Sequence, residues 1–263
     1  MMVHERRARI LELLKHERTL TVTSLIKEFH VSIETIRRDL EFLESSGNLK
    51  RVYGGAIGQS AFGEEPSYDK REVKNFEAKK AIAIEAANLI ENGDTVFFDI
   101  GTTCLEVAKL LSDKKDLNIL TNSLMIAKEL TDFQGCKVFL LGGELRKGEL
   151  SVSGFLTSTN LDRFNADKAI IGAGGITIES GLTDYHPEEA SVRRMMIERS
   201  KCSIVVSDSS KFGVIAMNTV CPIEKIGILI TDNLISKEMK RNLKKIGVTF
   251  IISSVAPSSV KKQ

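Results

Sequence analysis

The hydrophobic positions near the start of the chain recur at helical spacing and predict two short helices. The first runs from Glu5 to His16 and the second from Ser24 to Phe29, with Thr23 as the N-cap of the second. His30 is expected to take the turn after it, because histidine tolerates a left-handed backbone better than most residues that carry a Cβ. This pattern predicts a compact helical start to the chain.

A third helix follows, in which Ile36, Leu40 and Leu43 form an inward-facing stripe. Ser32 is expected to cap it, and Val31 is expected to fill the core at the turn before it. Ser46-Gly47 would then end the helix.

The outward face of the third helix carries Thr35, Arg37 and Arg38. Arginine can form paired hydrogen bonds to guanine edges or bind phosphates, and a recognition helix presents its first turns to the major groove of DNA. The alternative is a small helical bundle with a solvated arginine pair, because short motifs produce false positives.

An extended stretch from Asn48 to Tyr53, ending at Gly54-Gly55, is predicted to form a wing on the phosphate backbone, paired with a short strand from Leu20 to Val22. The arrangement is that of a winged helix-turn-helix. The predicted DNA-contacting residues are Ser32, Glu34, Thr35, Arg37, Arg38, Lys50, Arg51 and Tyr53.

Strands and helices alternate in the larger part of the chain, which predicts a parallel sheet flanked by helices. We expect an N-terminal winged helix-turn-helix domain joined to a C-terminal Rossmann-like α/β domain. The predicted boundaries are 1–57 for the first domain, 58–74 for a polar linker with little periodicity, 75–253 for the second domain, and 254–263 for a flexible tail.

The ends of the predicted strands carry small and polar residues, and ligands of open α/β sheets bind at the carboxyl ends of strands. In the loop from Asp99 to Thr103, a glycine, two hydroxyl groups and free backbone amides at a helix start predict an anion cradle, and Asp99 is suited to accept hydrogen bonds from sugar hydroxyls. The alternative is an ordinary helix capped by threonine.

Further strand-end loops contain Thr121-Asn122-Ser123, Gly142-Gly143 and Lys211. Each alone is more often a turn, a cap or a solvated lysine, so their recurrence is the informative feature. Gly172 opens a glycine-rich loop without the immediate helix of a dinucleotide site, so we expect no nucleotide cofactor. Cys104 is interpreted as a quiet core thiol.

Composition narrows the class of protein without identifying it. The chain has 263 residues, 42% of them hydrophobic, and a net charge of +2, so bulk charge does not indicate nucleic-acid binding. The four scattered cysteines predict a reducing compartment, hence the cytoplasm, and neither a disulfide framework nor a metal site. No targeting or membrane-spanning segment is expected.

The chain resembles the DeoR family of bacterial transcriptional regulators. The resemblance rests on the run from Thr35 to Leu40 with Gly54-Gly55-Ala56, and on the strand-end loops together with Gly181-Leu182-Thr183, Glu189, Arg193 and Asp208 to Gly213. Four positions depart from the family pattern: Ile26, His30, Tyr53 and Gly174, the last of which stands where the family often has an aspartate.

The resemblance implies a second domain similar in fold to ribose-5-phosphate isomerase that senses phosphorylated sugars. The effector-binding residues that follow from the loops and the resemblance are Asp99, Gly101, Thr102, Thr103, Thr121, Asn122, Ser123, Gly142, Gly143, Gly172, Glu189, Arg193 and Lys211. No catalytic residues are predicted.

We therefore expect a repressor of a sugar-catabolic operon that binds double-stranded operator DNA, is released by a phosphorylated sugar, and works as a homodimer or homotetramer. The rival from another class is a sugar-phosphate isomerase or transferase in which Asp99, Glu189 and Lys211 supply acid, base and charge. An activator, or a sensor of an unphosphorylated ligand, also stays open.

Overall fold

The structure is a computed structural model that describes residues 3–17, 19–45, 49–52, 54–58 and 65–254 of the chain. The chain divides into two compact units between Glu64 and Glu65. The predicted helix stop at Ser46-Gly47 and the predicted tail beyond Ser254 lie outside the described residues.

The first unit packs three helices against a small antiparallel sheet. In chain order its elements are α1 (Val3–His16), β1 (Thr19–Thr21), α2 (Val22–Phe29), α3 (Ile33–Ser45), β2 (Leu49–Val52) and β3 (Gly55–Gly58). Strand β3 lies between β1 and β2, so the strand before α2 pairs with the returning strand of the wing. The inward positions Leu25, Ile36 and Leu40 are buried in one apolar cluster, as their spacing predicts.

The start of α2 corrects one prediction. Thr21 rather than Thr23 is the N-cap, and its hydroxyl oxygen accepts a hydrogen bond from the Ser24 amide at 3.0 Å. Two threonines separated by one residue offered the same capping chemistry, and the end of β1 at Thr21 decided between them. His30 has φ of 51°, so the left-handed turn predicted there is confirmed.

The second unit is an α/β domain with more elements than the periodicity predicts. In chain order they are α4 (Tyr68–Val73), α5 (Phe76–Asn88), β4 (Thr95–Phe98), α6 (Thr102–Ala108), β5 (Leu117–Thr121), α7 (Leu124–Leu130), β6 (Cys136–Leu140), β7 (Glu144–Arg146), β8 (Ser151–Ser153), α8 (Phe155–Leu161), β9 (Ala166–Ile171), β10 (Gly175–Thr177), β11 (Gly181–Asp184), α9 (Pro187–Glu198), β12 (Ser200–Val206), β13 (Asn218–Cys221), β14 (Ile228–Asp232), α10 (Lys237–Lys245) and β15 (Phe250–Ser253).

A seven-stranded parallel sheet in the order β15-β14-β12-β9-β4-β5-β6 forms the centre of this unit. Successive residues of a strand face opposite sides of a sheet. Accordingly Phe97 belongs to one apolar cluster, whereas Val96 and Phe98 belong to another. The predicted parallel α/β architecture is confirmed.

Several short elements went unpredicted. They are the hairpin β7-β8, helix α8, the small antiparallel sheet β10-β11-β13, and α4, which lies within the stretch assigned to the linker. Helix α4 has six residues and buries none of them, so no apolar periodicity marks it. The predicted absence of regular structure just before Asn75 is therefore wrong.

The strand order reverses between β4 and β9. The chain runs from β4 through β5 to β6 at one edge and from β9 through β12 and β14 to β15 at the other. Such a topological switch point opens a crevice at the carboxyl ends of the two central strands, where α/β domains bind ligands. None of the helices in the described part of the chain combines the length and apolar character needed to span a membrane.

Candidate functional site

Helix α3 of the first unit has a polar outer face, and the packing of its apolar inner face sets the direction of that outer face. The Ser32 hydroxyl oxygen accepts a hydrogen bond from the Thr35 amide at 3.3 Å, which caps the helix as predicted. Ile36 and Leu40 are buried, which leaves Arg37 and Arg38 exposed on the outer face. This is the geometry that a helix needs to enter a major groove.

Three of the predicted DNA contacts, Glu34, Arg37 and Arg51, are held in exposed ion pairs. Arg37 lies 3.1 Å from Glu34, and Arg51 of the wing lies 2.7 Å from Glu44, which also accepts the Arg51 amide at 2.8 Å. Exposed pairs of this kind contribute about 0–1 kcal/mol, so a DNA phosphate can replace them at little cost. The side chain of Lys50, and the whole of Tyr53, lie outside the described residues.

Asp39 orients the third helix, a role that the pattern of apolar residues does not reveal. It is buried, and it accepts hydrogen bonds from Arg6 at 2.5 Å and from Arg7 at 2.8 Å, both on α1. The available signal was its position three residues after Ile36, on the inward stripe, where a carboxylate needs a cationic partner. The two ion pairs of Asp39 fix α3 against α1 and so set the direction of the outer face of α3.

In the second unit, three predicted effector residues meet at the switch point between β4 and β9. Asp99 directly follows β4 and is 1% exposed. Its Oδ2 accepts hydrogen bonds from Arg193 Nε at 2.5 Å and from the Gly172 amide at 2.9 Å. Arg193 also pairs with Asp184, at the end of β11, which sequence reasoning missed. A buried arginine thus joins the carboxyl ends of β4 and β11 to helix α9.

Burial is the largest single influence on the electrostatics of this cluster. It raises the pKa of Asp99 above its ordinary value, although Arg193 and the Gly172 amide act in the opposite direction. Burial lowers the pKa of Arg193, but Asp184 and Asp99 outweigh it and hold that pKa well above its ordinary value. Arg193 therefore remains a cation, and it is bound to both carboxylates.

The chain departs from the family pattern at Gly174, and the space around this residue accounts for the difference. A Cβ there would lie 2.8 Å from the Thr183 carbonyl oxygen and 3.3 Å from Asp184 Oδ2. The position therefore has no room for the family's aspartate. Asp184 brings a carboxylate to the same loop from the neighbouring strand.

The loop from Gly101 to Thr103 begins α6. Gly101 is the N-cap with φ of 114°, and no side chain forms a capping bond, so the alternative of a threonine-capped helix is wrong. Thr102 is buried and Thr103 is half-buried within the first turn. The start of α6 follows the carboxyl end of β4 and Asp99 after only a short loop.

The loop after β5 makes contacts within the domain. Ser123 caps α7 by accepting a hydrogen bond from the Ile126 amide at 3.2 Å, and its own amide donates to Thr121 at 3.0 Å. Asn122 donates to the carbonyl oxygen of Val152 at 3.1 Å. These residues hold strand β8 against the sheet.

Gly142 and Gly143 pack against α8. The Thr157 hydroxyl donates to the Gly142 carbonyl oxygen at 2.7 Å. A Cβ at Gly143 would lie 2.0 Å from the Thr157 hydroxyl oxygen.

Lys211 ends the short 3₁₀ turn Ser209–Lys211 after β12, where the Asp208 side chain accepts a hydrogen bond from the Ser210 amide at 3.0 Å.

Glu189 of α9 connects the switch point to a second charged cluster. It is 2% exposed, and it accepts hydrogen bonds from Ser151 at 3.1 Å and from Arg146 at 2.7 Å. Burial raises the pKa of Glu189 and Arg146 lowers it. Arg146 in turn lies 2.5 Å from Glu65. Sequence reasoning missed Arg146 and Glu65, because β7 has only three residues and Glu65 lies in the predicted linker.

Cys104 belongs to helix α6, which follows Asp99. Cys104 is fully buried, and burial raises the pKa of its thiol well above the ordinary value, so the prediction of a quiet core thiol is confirmed. Within the described ranges, no three acidic, histidine or cysteine side chains form a metal-binding group.

Comparison with known proteins agrees with both units. The family model described as a DeoR-like helix-turn-helix domain matches residues 6–61, and that described as the DeoR C terminal sensor domain matches residues 74–233. The transcriptional repressor AccR of Agrobacterium fabrum is 40% identical over 87% of this chain and 89% of its own length. The Escherichia coli K12 glycerol-3-phosphate regulon repressor is 35% identical over 85% of this chain and 88% of its own.

Among solved structures, a D-ribose-5-phosphate isomerase in complex with phospho-erythronic acid shows 19% identity with a TM-score of 0.39, covering 52% of this chain and 54% of its own. That similarity is too low to identify a ligand. With a winged helix-turn-helix, a sensor domain and relatives that are named regulators, the protein is a transcriptional regulator rather than an enzyme. The chain belongs to the DeoR family.

Proposed function

We propose that the protein represses a sugar-catabolic operon and is released from operator DNA when a phosphorylated sugar binds the second unit. The observation that carries the proposal is the buried Asp99–Arg193–Asp184 cluster at the topological switch point of a domain that shares its chain with a DNA-reading helix. Ligands of α/β domains bind at this place, and the buried ion pairs of Arg193 hold the strand ends beneath it in a fixed position.

The effector would lie between the loop from Gly101 to Thr103 and the start of α9. There the backbone amides and the two threonine hydroxyl groups of the loop would bind a hydroxylated and acidic molecule. The name of the glycerol-3-phosphate regulon repressor, a relative 35% identical to this chain, supports a phosphorylated sugar or polyol.

The regulator would act in the cytoplasm as a homodimer or homotetramer that assembles through the second unit. One winged helix buries too little DNA for operator specificity, so repeated half-sites require more than one copy. Strand β6 lies at the edge of the large sheet and carries the exposed residues Phe139 and Leu140. Two further apolar residues, Phe155 and Leu156 of α8, are also exposed. An apolar sheet edge of this kind is where a second copy would pack.

The effector must favour one arrangement of the assembly over the other. A difference in affinity worth about 1–3 kcal/mol between the DNA-bound and DNA-free arrangements is typical of such coupling.

Binding of the purified protein to a fluorescent fragment of its own upstream DNA tests the proposal, with and without a panel of sugar phosphates at fixed salt. We expect tight, sequence-dependent binding that one compound relieves. Specific binding that no compound changes would refute release by a phosphorylated sugar, and the corresponding unphosphorylated sugars form the matched control.

A further inference from the structure

Three donor side chains converge on the carboxylate of Glu65, the first residue of the second unit. Arg146 Nη2 lies 2.5 Å from Glu65 Oε2, His186 Nε2 lies 3.2 Å from the same oxygen, and Arg71 Nη1 lies 3.2 Å from Oε1. The donors belong to β7, to the residue before α9 and to α4, respectively. Three separate elements therefore place their donors around one anion.

Each arginine binds a second carboxylate that is more deeply buried. Arg71 pairs with Glu149, and Arg146 pairs with Glu189 at 2.7 Å. The side chains of Glu149 and Glu189 are 3% and 2% exposed, whereas that of Glu65 is 13% exposed. Glu65 also lies in an irregular segment, outside any helix or strand. Glu65 is therefore the member of the cluster that an incoming anion can replace.

A phosphoryl group suits these donors better than a carboxylate does. It carries more negative charge and three terminal oxygens, so it can accept a charge-assisted hydrogen bond from each donor that now holds Glu65. Arg71 and Arg146 would keep their buried carboxylates and exchange only the donors that now hold Glu65. We propose that Arg71, Arg146 and His186 form an anion site that Glu65 fills in the absence of ligand, and from which the effector's phosphoryl group displaces it.

The location of the cluster fits an effector that reaches the switch point. Arg146 connects it to Glu189, which lies one helical turn from Arg193 on α9. The phosphoryl group would replace Glu65, and the rest of the molecule would extend toward the loop from Gly101 to Thr103. The inference rests on the proposed function, since it assumes a phosphorylated effector in this unit.

Displacement would also act on the polypeptide that joins the two units. The chain from the DNA-binding unit enters the second unit at Glu65, and Arg71 Nε donates to the Pro66 carbonyl oxygen at 3.0 Å. Seated Glu65 therefore ties this entry point to β7, α4 and α9. A phosphate in place of Glu65 would remove the ion pairs that hold this entry point. A DNA-bound arrangement that requires Glu65 in the cluster would therefore bind the effector more weakly, because the binding of the two ligands is thermodynamically linked.

The test compares inorganic phosphate binding to the full-length protein and to Glu65→Gln by calorimetry at constant ionic strength. Because the variant lacks the competing carboxylate, we expect it to bind phosphate about tenfold more tightly. Glu179→Gln, an exposed glutamate in the β10–β11 turn, is the matched control and should behave as wild type. The double variant Glu65→Gln/Arg146→Lys should lose this increase in phosphate affinity, because lysine has one ammonium group and cannot donate to Glu189 and to phosphate from two separate nitrogens, as arginine does.

A purely structural role for Glu65 predicts a different result. In that case Glu65→Gln lowers the melting temperature and leaves phosphate affinity unchanged, which would overturn the inference. Glu65→Ala provides a second test that does not depend on how the glutamine amide packs. Thr102→Ala/Thr103→Ala in the Glu65→Gln background should leave inorganic phosphate binding unchanged, and its loss would assign the anion to the α6 loop instead.

DNA release separates this inference from the proposed function. If a sugar phosphate releases wild-type protein from its operator and Glu65→Gln needs the same concentration, the anion site is refuted and the proposed function stands. If no sugar phosphate releases wild-type protein, the proposed function fails and this inference fails with it. Release of Glu65→Gln at a lower concentration than wild type would support both.

Discussion

Arg38 lies on the exposed face of α3, next to the residues that bury the helix. Its side chain needs no rearrangement of the core to reach a base edge or a phosphate. In contrast, Asp39 beside it faces α1 and is already bound to Arg6 and Arg7. Neighbouring residues of one motif therefore face opposite ways, Arg38 toward solvent and Asp39 toward the core.

The variant Arg38→Ala should lose operator affinity by about 1–3 kcal/mol without loss of folding, because it removes one charged contact from the reading face. Fluorescence anisotropy with the operator fragment measures this loss. Arg9→Ala is the control, since Arg9 is an exposed arginine of α1 paired with Glu12. Equal affinity of Arg38→Ala and Arg9→Ala would mean that another face of the unit reads DNA.

At the scale of elements, strand ends and helix starts build the candidate effector site. The end of β4 supplies Asp99, the start of α6 supplies Thr102 and Thr103, and α9 supplies Arg193. The loops after β5 and β6 hold neighbouring elements together, so Asn122 and Gly143 support the site by packing. Their assignment as effector contacts stays a prediction.

The double variant Thr102→Ala/Thr103→Ala should weaken binding of the releasing sugar phosphate about tenfold, because each hydroxyl contributes a hydrogen bond to a polar ligand. Titration calorimetry with that compound tests the prediction, and Thr131→Ala, in an exposed position after α7, is the control. Unchanged affinity of the double variant would remove the α6 loop from the effector site.

At the scale of the whole molecule, the apolar edge of the large sheet bears on assembly. Phe155 is 82% exposed at the start of α8, close in sequence to β7 and β8, which follow edge strand β6. Leu234 is 77% exposed, but it follows β14 toward the other end of the sheet. The two residues therefore allow two exposed apolar positions to be compared with similar substitutions, one in the part of the chain after β6 and one in the part after β14.

Phe155→Glu should shift the protein to the monomer and reduce operator binding, because a charge at a buried apolar interface is costly to desolvate. Light scattering after size exclusion measures the mass, and Leu234→Glu should retain the wild-type oligomer. An unchanged mass for Phe155→Glu, or a monomer produced by Leu234→Glu instead, would place the interface elsewhere.

Local patterns predicted most of the large elements. The bounds of α7 and α10 match the predicted helices, and the left-handed turn at His30 was expected from the residue type. The elements that were missed, such as β7, β10, α4 and α8, are three to seven residues long. Segments this short contain too few positions for a period to emerge.

By itself, the sequence determined the two-part architecture, the inward stripes of the helices and the polar strand ends, because periodicity, capping and turn chemistry act between residues a few positions apart. Only the tertiary structure decided which charges meet. Arg193 binds Asp99 from 94 positions away, and Arg146 binds Glu65 from 81 positions away. A buried charge requires a partner, but many residues can supply it, and the choice follows from the strand order and from which loops that order brings together.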